Sequence, residues 1–441
     1  MNMLKRTLRK AFLVVAMAFS VLSLKAQNEA FNAYTPYSMF GVGEISKQGT
    51  SFNKSMGGVG IATRDRSNIN ILNPAAVTER DAKSFMADIG LFNGNRIYKQ
   101  HDMRSANNVT NVYNIVVSFP VYKSFAVYGG ITPYSDIGYG VSTLETDQSV
   151  IGTTGNISYN SRGYGSLNNL FLGGGFTLFK GFSLGAEFSY IFGNLHKNRS
   201  QVFDRDDFRS IYSGYNMHLK SYSGKFGVQY EIPVSTSVTA VVGATYRLKS
   251  NLRGTVRDFE YCSIGSVTDT SRIVIDTLQN SGTAKLGNEI GVGISLKGGN
   301  KWTAEIDYLR SDWTNCGMET TAGFANVGQS VFSATASQSV RAGFSIVPNR
   351  NDIRYYMRRV TYRAGAYWDQ AYYKLDGNSV NAFGLTFGMT LPVSRRGHGI
   401  TVGVDLGQRG SLLGNMVRER YVNFNIGLNI ADIWFLKQRY D

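Results

Sequence analysis

Long apolar segments are nearly absent from this chain of 441 residues. The one clear run, 11–24, is shorter than the ~20 residues that a membrane-spanning helix needs, so helical membrane insertion is excluded. A basic stretch that includes Lys5 and Arg6 precedes this run, which is the arrangement of a secretory signal. Small and apolar residues lead up to Ala26, and we therefore predict that residues 1–26 are a cleaved signal peptide.

Cysteine and histidine are also scarce, with two and four residues. No cysteine follows the signal, which argues against a lipoprotein anchor. The four histidines are scattered, without the paired spacing, cysteine cluster or serine motif of a catalytic or metal site. The sequence therefore predicts a protein that is not an enzyme and binds no metal or cofactor. Cys262 and Cys316 are expected in long outer loops of an oxidising compartment, either bridged or as two independent thiols.

Acidic residues are outnumbered by basic ones, 31 to 46, which gives a formal charge of +15. Five of the positive charges and no acid lie in residues 1–26, so the mature chain carries +10. The export signal argues against nucleic acid as the partner of these charges. Anionic outer-membrane lipid and lipopolysaccharide are the expected partners, although basic loops that are simply solvated give the same excess.

Alternation of apolar with small or polar residues is abundant from about residue 83 onward. Side chains in a strand point alternately to opposite sides, so such a segment has one apolar and one polar face. The clearest example is the last one, with Val422, Phe424, Ile426, Leu428 and Ile430 on one face and Asn423, Asn425, Gly427 and Asn429 on the other. Behind an export signal, this pattern is typical of a transmembrane β-barrel with lipid outside and a polar lumen inside.

About fourteen such segments can be counted, and short turns alternate with long connections. The predicted strands lie near 83–91, 111–121, 125–132, 170–179, 182–192, 222–232, 238–247, 289–297, 301–309, 338–347, 360–368, 383–391, 400–407 and 422–430. An even strand count with short periplasmic turns and long outer loops is typical of bacterial outer-membrane barrels. We therefore predict an all-β, antiparallel transmembrane barrel over residues 83–441, in the outer membrane of a Gram-negative bacterium.

Charged residues in these segments indicate which face is the lumen. Glu305 and Asp307 share one face of the ninth segment, and a one-residue shift in register would aim both at lipid. Glu289, Arg341 and Arg363 also fall opposite the apolar faces of their segments. The five residues are predicted to form a charge network in the lumen, either as a solute filter or as structural neutralisation.

Glycine is common, and in many segments it falls on the predicted lumen face. Glycine inside a strand often marks the close approach of another backbone. The lumen is therefore expected to hold a further segment, most simply residues 27–82, which do not read as strands. The lumen glycines are Gly173, Gly175, Gly185, Gly227, Gly243, Gly291, Gly343, Gly365, Gly388 and Gly403.

Residues 55–77 carry the most specific local motif. Gly57, Gly58 and Gly60 stand in a small-residue stretch, and Asn73-Pro74 follows shortly before the first strand. The stretch lacks the Lys-Ser/Thr and the βαβ context of a phosphate-binding loop. It resembles the plug of the FadL family of long-chain fatty acid transporters. That resemblance implies a fourteen-stranded barrel in which residues 27–82 form an N-terminal hatch inside the lumen.

The resemblance to the FadL family also implies passive uptake of a hydrophobic small molecule. Such a ligand would enter from outside, contact the hatch, and leave sideways through a gap beside the third strand. The expected contacts in the hatch are Tyr37, Met39 and Phe40. The expected gap residues are Gly129, Gly130 and Pro133, although Pro133 could simply end the strand.

PorV-like proteins share this fold and act as outer-membrane partners in secretion or assembly complexes. The chain resembles them equally in outline, so a subunit of such a complex is the alternative function. The basic and aromatic tail 434–441 could bind a complex partner, or it could be an assembly signal with a solvated end. A polar-solute porin is disfavoured, because a porin needs an open lumen and a hatch would fill it.

Overall fold

The computed structural model describes residues 34–81, 84–122, 124–264, 267–278, 284–324, 330–393, 399–413 and 416–433. The predicted signal peptide, residues 27–33 of the predicted hatch and the tail 434–441 lie outside these ranges. No helix in the described part of the chain is long and apolar enough to cross a membrane.

Fourteen antiparallel strands form a barrel, which closes because the last strand pairs with the first. The predicted all-β, fourteen-stranded barrel is therefore confirmed. The strands are β1 (Ser84–Gln100), β2 (Met103–Tyr122), β3 (Phe125–Leu144), β4 (Ile157–Phe179), β5 (Phe182–Phe203), β6 (Ser210–Pro233), β7 (Val238–Arg247), β8 (Asn288–Gly298), β9 (Trp302–Asp312), β10 (Ala336–Ile346), β11 (Thr361–Leu375), β12 (Asn378–Pro392), β13 (Gly399–Arg409) and β14 (Arg418–Ile433).

Shorter elements lie before the barrel and in its connections. The 3-10 helices are Pro36–Met39, Pro74–Thr78 and Tyr356–Arg359, and the α-helical turns are Ser51–Lys54 and Gln148–Thr154. The short strands are Glu44–Ile45, Ser250–Asn251, Lys285–Leu286 and Phe332–Ala334. A longer hairpin of Arg253–Ile264 and Val267–Leu278 extends the sheet beyond β6.

The two faces of the barrel wall follow the alternation of the sequence. In β14, Val422, Phe424, Ile426 and Leu428 are 39–46% exposed, whereas Asn423, Asn425 and Asn429 are buried. Apolar side chains therefore point outward to the lipid and polar ones inward. This is the inverse of a soluble protein, and it is the arrangement that a hydrocarbon surrounding favours.

β4, β5 and β6 are 23, 22 and 24 residues long, whereas about 9–11 residues suffice to cross a bilayer. Their outer halves and the hairpin 253–278 form one continuous sheet, which we call the outer wall. The sequence predicts long loops near 140–165 and 250–285, and much of these segments is strand instead. Above the lipid the outward face of these strands meets water, so polar residues such as His218 and Lys220 replace the outward apolar residues that reveal a lipid-facing strand.

Residues 34–81, which we call the hatch, precede the barrel strands and pack against their lumen face. At the outer end of the lumen, Tyr37 and Phe40 belong to a large apolar cluster with residues of the wall and loops, such as Phe332 and Tyr373. At the periplasmic end, Ile69, Ile71 and Val77 pack against wall residues that include Tyr128 and Phe171. Two apolar clusters therefore lie on either side of the more polar middle of the hatch.

Candidate functional site

The hatch touches the barrel wall at a ring of glycines. A Cβ atom added to Gly365 would lie 2.3 Å from the backbone nitrogen of Gly57, and one added to Gly243 would lie 2.2 Å from the carbonyl oxygen of Ile61. Nine of the ten predicted lumen glycines meet the hatch in this way; the exception, Gly173, faces Tyr128. Eight of the nine contacts would be shorter than 3.0 Å, which real Cβ atoms essentially never show, so the glycines provide the space in which the hatch sits.

Two buried carboxylates of β9 fasten the hatch to the wall. The N–H groups of Gly60 and Ile61 donate to Asp307 Oδ2 at 2.8 and 3.0 Å. The N–H of Ala62 donates to Glu305 Oε1 at 2.8 Å, and the hydroxyl of Thr63 donates to Glu305 Oε2. A buried donor is stabilised when it meets an acceptor, and each of these four donors does. The two carboxylates therefore hold four successive residues of the hatch.

The other charges predicted for the lumen have separate partners. Arg341 of β10 donates to the carbonyl oxygen of Gly58 at 3.1 Å, so it holds the same stretch of the hatch as the two carboxylates. Arg363 of β11 donates to Thr390 Oγ1 at 2.5 Å, and Glu289 of β8 lies opposite Arg247 in the sheet. The structure thus brings Glu305, Asp307 and Arg341 together around the hatch and places the other two apart.

The motif residues of the hatch shape its backbone. Gly57 and Gly58 have φ of +73° and +80°, a conformation that residues with a side chain rarely adopt. The side chain of Asn73 caps the 3-10 helix Pro74–Thr78 by accepting from Ala75 N–H at 3.0 Å. The same side chain donates to Ile61 O at 2.7 Å, which joins the two halves of the motif.

A buried ion cluster lies nearer the outer end of the lumen. Glu44 of the hatch meets Arg96 of β1 at 2.9 Å and Arg409 of β13 at 2.6 Å, and Glu419 of β14 lies 3.7–3.8 Å from both arginines. Burial opposes the ionisation of Glu44, but Arg409 and Arg96 outweigh it and hold the pKa of this carboxyl well below its usual range. This cluster was not predicted from the sequence, although Arg96 and Glu419 lie in strands.

The barrel wall is broken between β2 and β3. These strands pair only from Ile115↔Ile131 to Tyr122↔Phe125, whereas β3 pairs with β4 as far as Leu144↔Ser158. Toward the outside, the hatch strand Glu44–Ile45 takes the place of β2 and pairs with β3. The outer parts of β2 and β3 therefore separate in the described structure.

The predicted gap residues lie at the edge of this break. Gly129 and Gly130 are in the paired part, opposite Val117 and Val116. Pro133 lies in the part of β3 that has left β2, next to an irregularity in the pairing with β4. Pro133 has no N–H to donate, which suits a position where a neighbouring strand is missing.

A cavity of about 600 Å³ lies beside the break. Val109 and Tyr113 of β2 and Pro133 of β3 line it, together with Lys54 and Arg96. The ammonium group of Lys54 lies 4.0 Å from the centre of the Tyr113 ring, within cation–π range. The lining is therefore mixed, with apolar side chains toward the break and charged ones toward the lumen.

The three aromatic or apolar hatch residues predicted to touch a ligand face different surroundings. Met39 lines an apolar groove of about 400 Å³ at the inner side of the outer wall, together with Val141, Tyr159 and Ile211. Tyr37 and Phe40 are buried in the outer apolar cluster instead, and the Tyr37 hydroxyl donates to Val417 O at 2.6 Å. Only Met39 of the three borders this groove.

Both cysteines are free thiols, with Cys262 partly exposed in the hairpin of the outer wall and Cys316 buried in the β9–β10 connection. Among the described residues, no group of three or more His, Cys, Asp or Glu side chains is arranged to hold a metal ion.

Comparisons with known proteins identify a family and several solved structures of similar architecture. A protein-family model described as BamG matches residues 3–441. No curated protein sequence matches the chain. Among solved structures, the toluene transporter TbuX of Ralstonia pickettii superimposes with a TM-score of 0.56 at 15% identity, over 89% of this chain and 98% of its own. The toluene transporter TodX of Pseudomonas putida gives 0.58 at 13%, over 90% and 100%. A FadL homologue of Pseudomonas aeruginosa gives 0.54 at 10%, over 89% and 100%.

Proposed function

Because the chain belongs to the BamG family and has the fold of FadL-type channels, we propose that it is an outer-membrane channel for hydrophobic small molecules. In this proposal the exported protein spans the outer membrane of a Gram-negative bacterium and works by passive uptake. The observation that carries the proposal is the break between β2 and β3 with a cavity of about 600 Å³ beside it. The similar structures include a toluene transporter and a monoaromatic hydrocarbon channel.

The route would begin at the apolar groove under the outer wall, where Met39 and Val141 meet an apolar ligand. The hatch segment 34–44 separates this groove from the cavity, since Met39 lines the groove while Tyr34 and Glu44 line the cavity. Passage would therefore require a shift of this segment. The middle of the hatch, held by Glu305 and Asp307, would stay in place, and the ligand would leave sideways into the membrane between β2 and β3.

A bulky side chain at Val109 tests the lateral exit. Val109 lines the cavity on the β2 side of the break, so Val109→Trp places a large ring in the proposed path. The ring narrows the path, and an added barrier of about 1.4 kcal/mol slows passage tenfold, so we expect the protein in liposomes to pass an apolar fluorescent probe about tenfold more slowly. The matched control is Val340→Trp on the lipid-facing side of β10, where Val340 is 44% exposed. Equal uptake by the Val109→Trp variant and the control would exclude lateral exit.

A second function, that of a subunit in an outer-membrane secretion or assembly complex, is favoured by the β10–β11 turn, residues 347–360. Asp352 organises this turn: its Oδ1 accepts from the N–H groups of Arg354 and Tyr355 at 2.9 and 2.8 Å. The turn lies on the periplasmic side and displays Ile353, which is 85% exposed, with Tyr355 and Met357 nearby. Apolar, tyrosine and arginine side chains in an ordered exposed turn are typical of protein interfaces.

Purification from gently solubilised membranes separates the two functions. If the chain is a complex subunit, stoichiometric partners should purify with it, and Ile353→Asp with Tyr355→Asp should remove a partner bound at the turn. The control is Leu413→Asp in the outer β13–β14 loop, where Leu413 is 78% exposed. A channel that works alone should purify alone in all three cases. Partners that persist in the double variant would show that the turn does not bind them.

A further inference from the structure

The outward face of the outer wall carries a band of positive charge. Lys220 of β6 and Arg253 of the hairpin are partners in the sheet, so their side chains share one face, and both are exposed. Arg257 lies four residues further along the hairpin strand on the same face and is also exposed. No acid of the described residues forms an ion pair with any of the three. Neighbouring outward positions hold Arg162, His196 and His218.

Acidic residues are missing from this face in the described strands. Outward positions of β4, β5, β6 and the hairpin strand 253–264 alternate with buried inward residues such as Leu195, Leu219 and Val256. Asp258 and Glu260 belong to the inward set with Val256, because a strand directs successive side chains to opposite sides. Lys220, Arg253 and Arg257 therefore carry positive charge that no carboxylate of the described outward face neutralises.

The band begins directly above the lipid-facing aromatic residues of the same strands. On the outward face of β6, Tyr222 lies two residues closer to the membrane than Lys220. Its ring stacks on that of Tyr190, with ring centres 5.1 Å apart. Phe188 and Leu172, further toward the membrane centre, are 58% and 66% exposed. Aromatic belts mark the boundary between hydrocarbon and head groups. A two-residue step along a strand is about 7 Å, so Lys220 and Arg253 lie at head-group height and Arg257 about two steps higher.

We propose that this band is a binding site for the phosphorylated head group of lipopolysaccharide, the glycolipid of the outer leaflet. Its phosphates would lie against Lys220, Arg253 and Arg257, and its acyl chains against the apolar surface below. Arginine and lysine bind phosphate through charge-assisted hydrogen bonds. The position of the band favours this lipid. The cations lie at head-group height directly above the lipid-facing aromatic residues, where the phosphates of a membrane lipid are found.

The site does not depend on the proposed uptake, since it lies on the opposite face of the wall from the groove. The test uses the purified full-length protein in detergent, titrated with three probes: lipopolysaccharide, the same lipopolysaccharide after removal of its phosphates, and phosphatidylglycerol. The variant is Lys220→Gln with Arg253→Gln and Arg257→Gln. Each cation near an anionic lipid surface contributes substantially, so we expect the triple variant to bind lipopolysaccharide at least about tenfold more weakly.

The matched control removes three exposed cations from the periplasmic side, by Lys180→Gln, Lys301→Gln and Arg354→Gln. The proposal expects the control to bind as the unmodified protein does, and it expects both other probes to bind weakly. Heat-dependent migration on gels verifies that each variant is a folded barrel. Unchanged affinity of the triple variant, equal loss in the control, or equal binding of dephosphorylated lipopolysaccharide would each overturn the site. An affinity for phosphatidylglycerol equal to that for lipopolysaccharide would overturn it as well, because the band would then attract any anionic lipid.

Discussion

Replacing Glu305 and Asp307 together with alanine is expected to release the hatch and to turn a closed barrel into an ion-conducting pore. The change removes the acceptors of Gly60, Ile61, Ala62 and Thr63 in one step. Each buried donor left without a partner costs about 1–3 kcal/mol. In planar lipid bilayers we expect conductance events in the double variant that the unmodified protein lacks, and we expect a protease added to the periplasmic side to cut the hatch.

Asp312→Ala is the control, because Asp312 ends the same strand, is exposed, and its carboxylate accepts hydrogen bonds from Thr314 in the β9–β10 connection. It should leave conductance and protease resistance unchanged. A double variant that forms a heat-stable barrel, yet stays closed and resists the protease, would show that the apolar clusters alone hold the hatch.

A valine at Gly365 is expected to expel the hatch or to prevent assembly of the barrel around it. The added Cβ would lie 2.3 Å from the nitrogen of Gly57 and 2.5 Å from the carbonyl carbon of Met56, and neither backbone atom can rotate away. Overpacking of well-filled sites typically costs about 1–3 kcal/mol, and contacts with rigid backbone lie at the upper end. The measurement is the fraction of folded barrel on gels after outer-membrane assembly, together with protease access to the hatch.

Gly152→Val is the matched substitution, because a Cβ at Gly152 meets nothing within 4 Å. It should assemble at the normal level. If the Gly365→Val protein assembled equally well and protected its hatch equally well, the close packing between β11 and the hatch would be contradicted.

The sequence was most informative where the membrane constrains it. Within the lipid, a one-residue slip would expose acids such as Asp307 to hydrocarbon, so the alternation of β9 is strict and its lumen face can be predicted. The fourteen strands were found for the same reason. The wall glycines were informative too: a glycine such as Gly243, facing inward in a strand, has little use except to admit another backbone.

Other parts of the fold carry no such constraint. The outer halves of β5 and β6 carry polar residues on the outward face and buried apolar residues such as Leu195 and Leu219 on the inward face. This arrangement is the reverse of the lipid-facing pattern, so these segments do not continue the alternation by which the sequence predicts the strands. The partners of Glu305 could not be inferred either, because backbone N–H groups of the hatch leave no mark in the sequence. From the charges alone, the simplest prediction was a network among the lumen side chains themselves. In the structure, however, Arg363 lies away from Glu305 and Asp307 and donates to Thr390.

The sequence predicted the approximate position of the break in the wall, but not the segment that replaces β2 there. Pro133 signals a missing donor, and the pairing of β2 with β3 does end nearby, at Ile115↔Ile131. What replaces β2 is a strand of two residues, Glu44–Ile45, which is too short to show any periodicity. The position of that strand depends on contacts across the whole lumen.

The ion cluster around Glu44 joins the first described part of the chain to the last two strands, so the hatch completes its contacts late in folding although it is synthesised early. Thr35 bonds Glu419 across 384 residues of sequence, and Glu44 bonds Arg409 across 365. The hatch precedes the barrel strands in the chain, yet it can complete these bonds only after the last two strands have joined the barrel. Closing such long loops carries an entropic cost and is slow. Until then the apolar residues of the hatch have no partner strands to cover them, so we expect the unfinished protein to expose the most apolar surface in this interval.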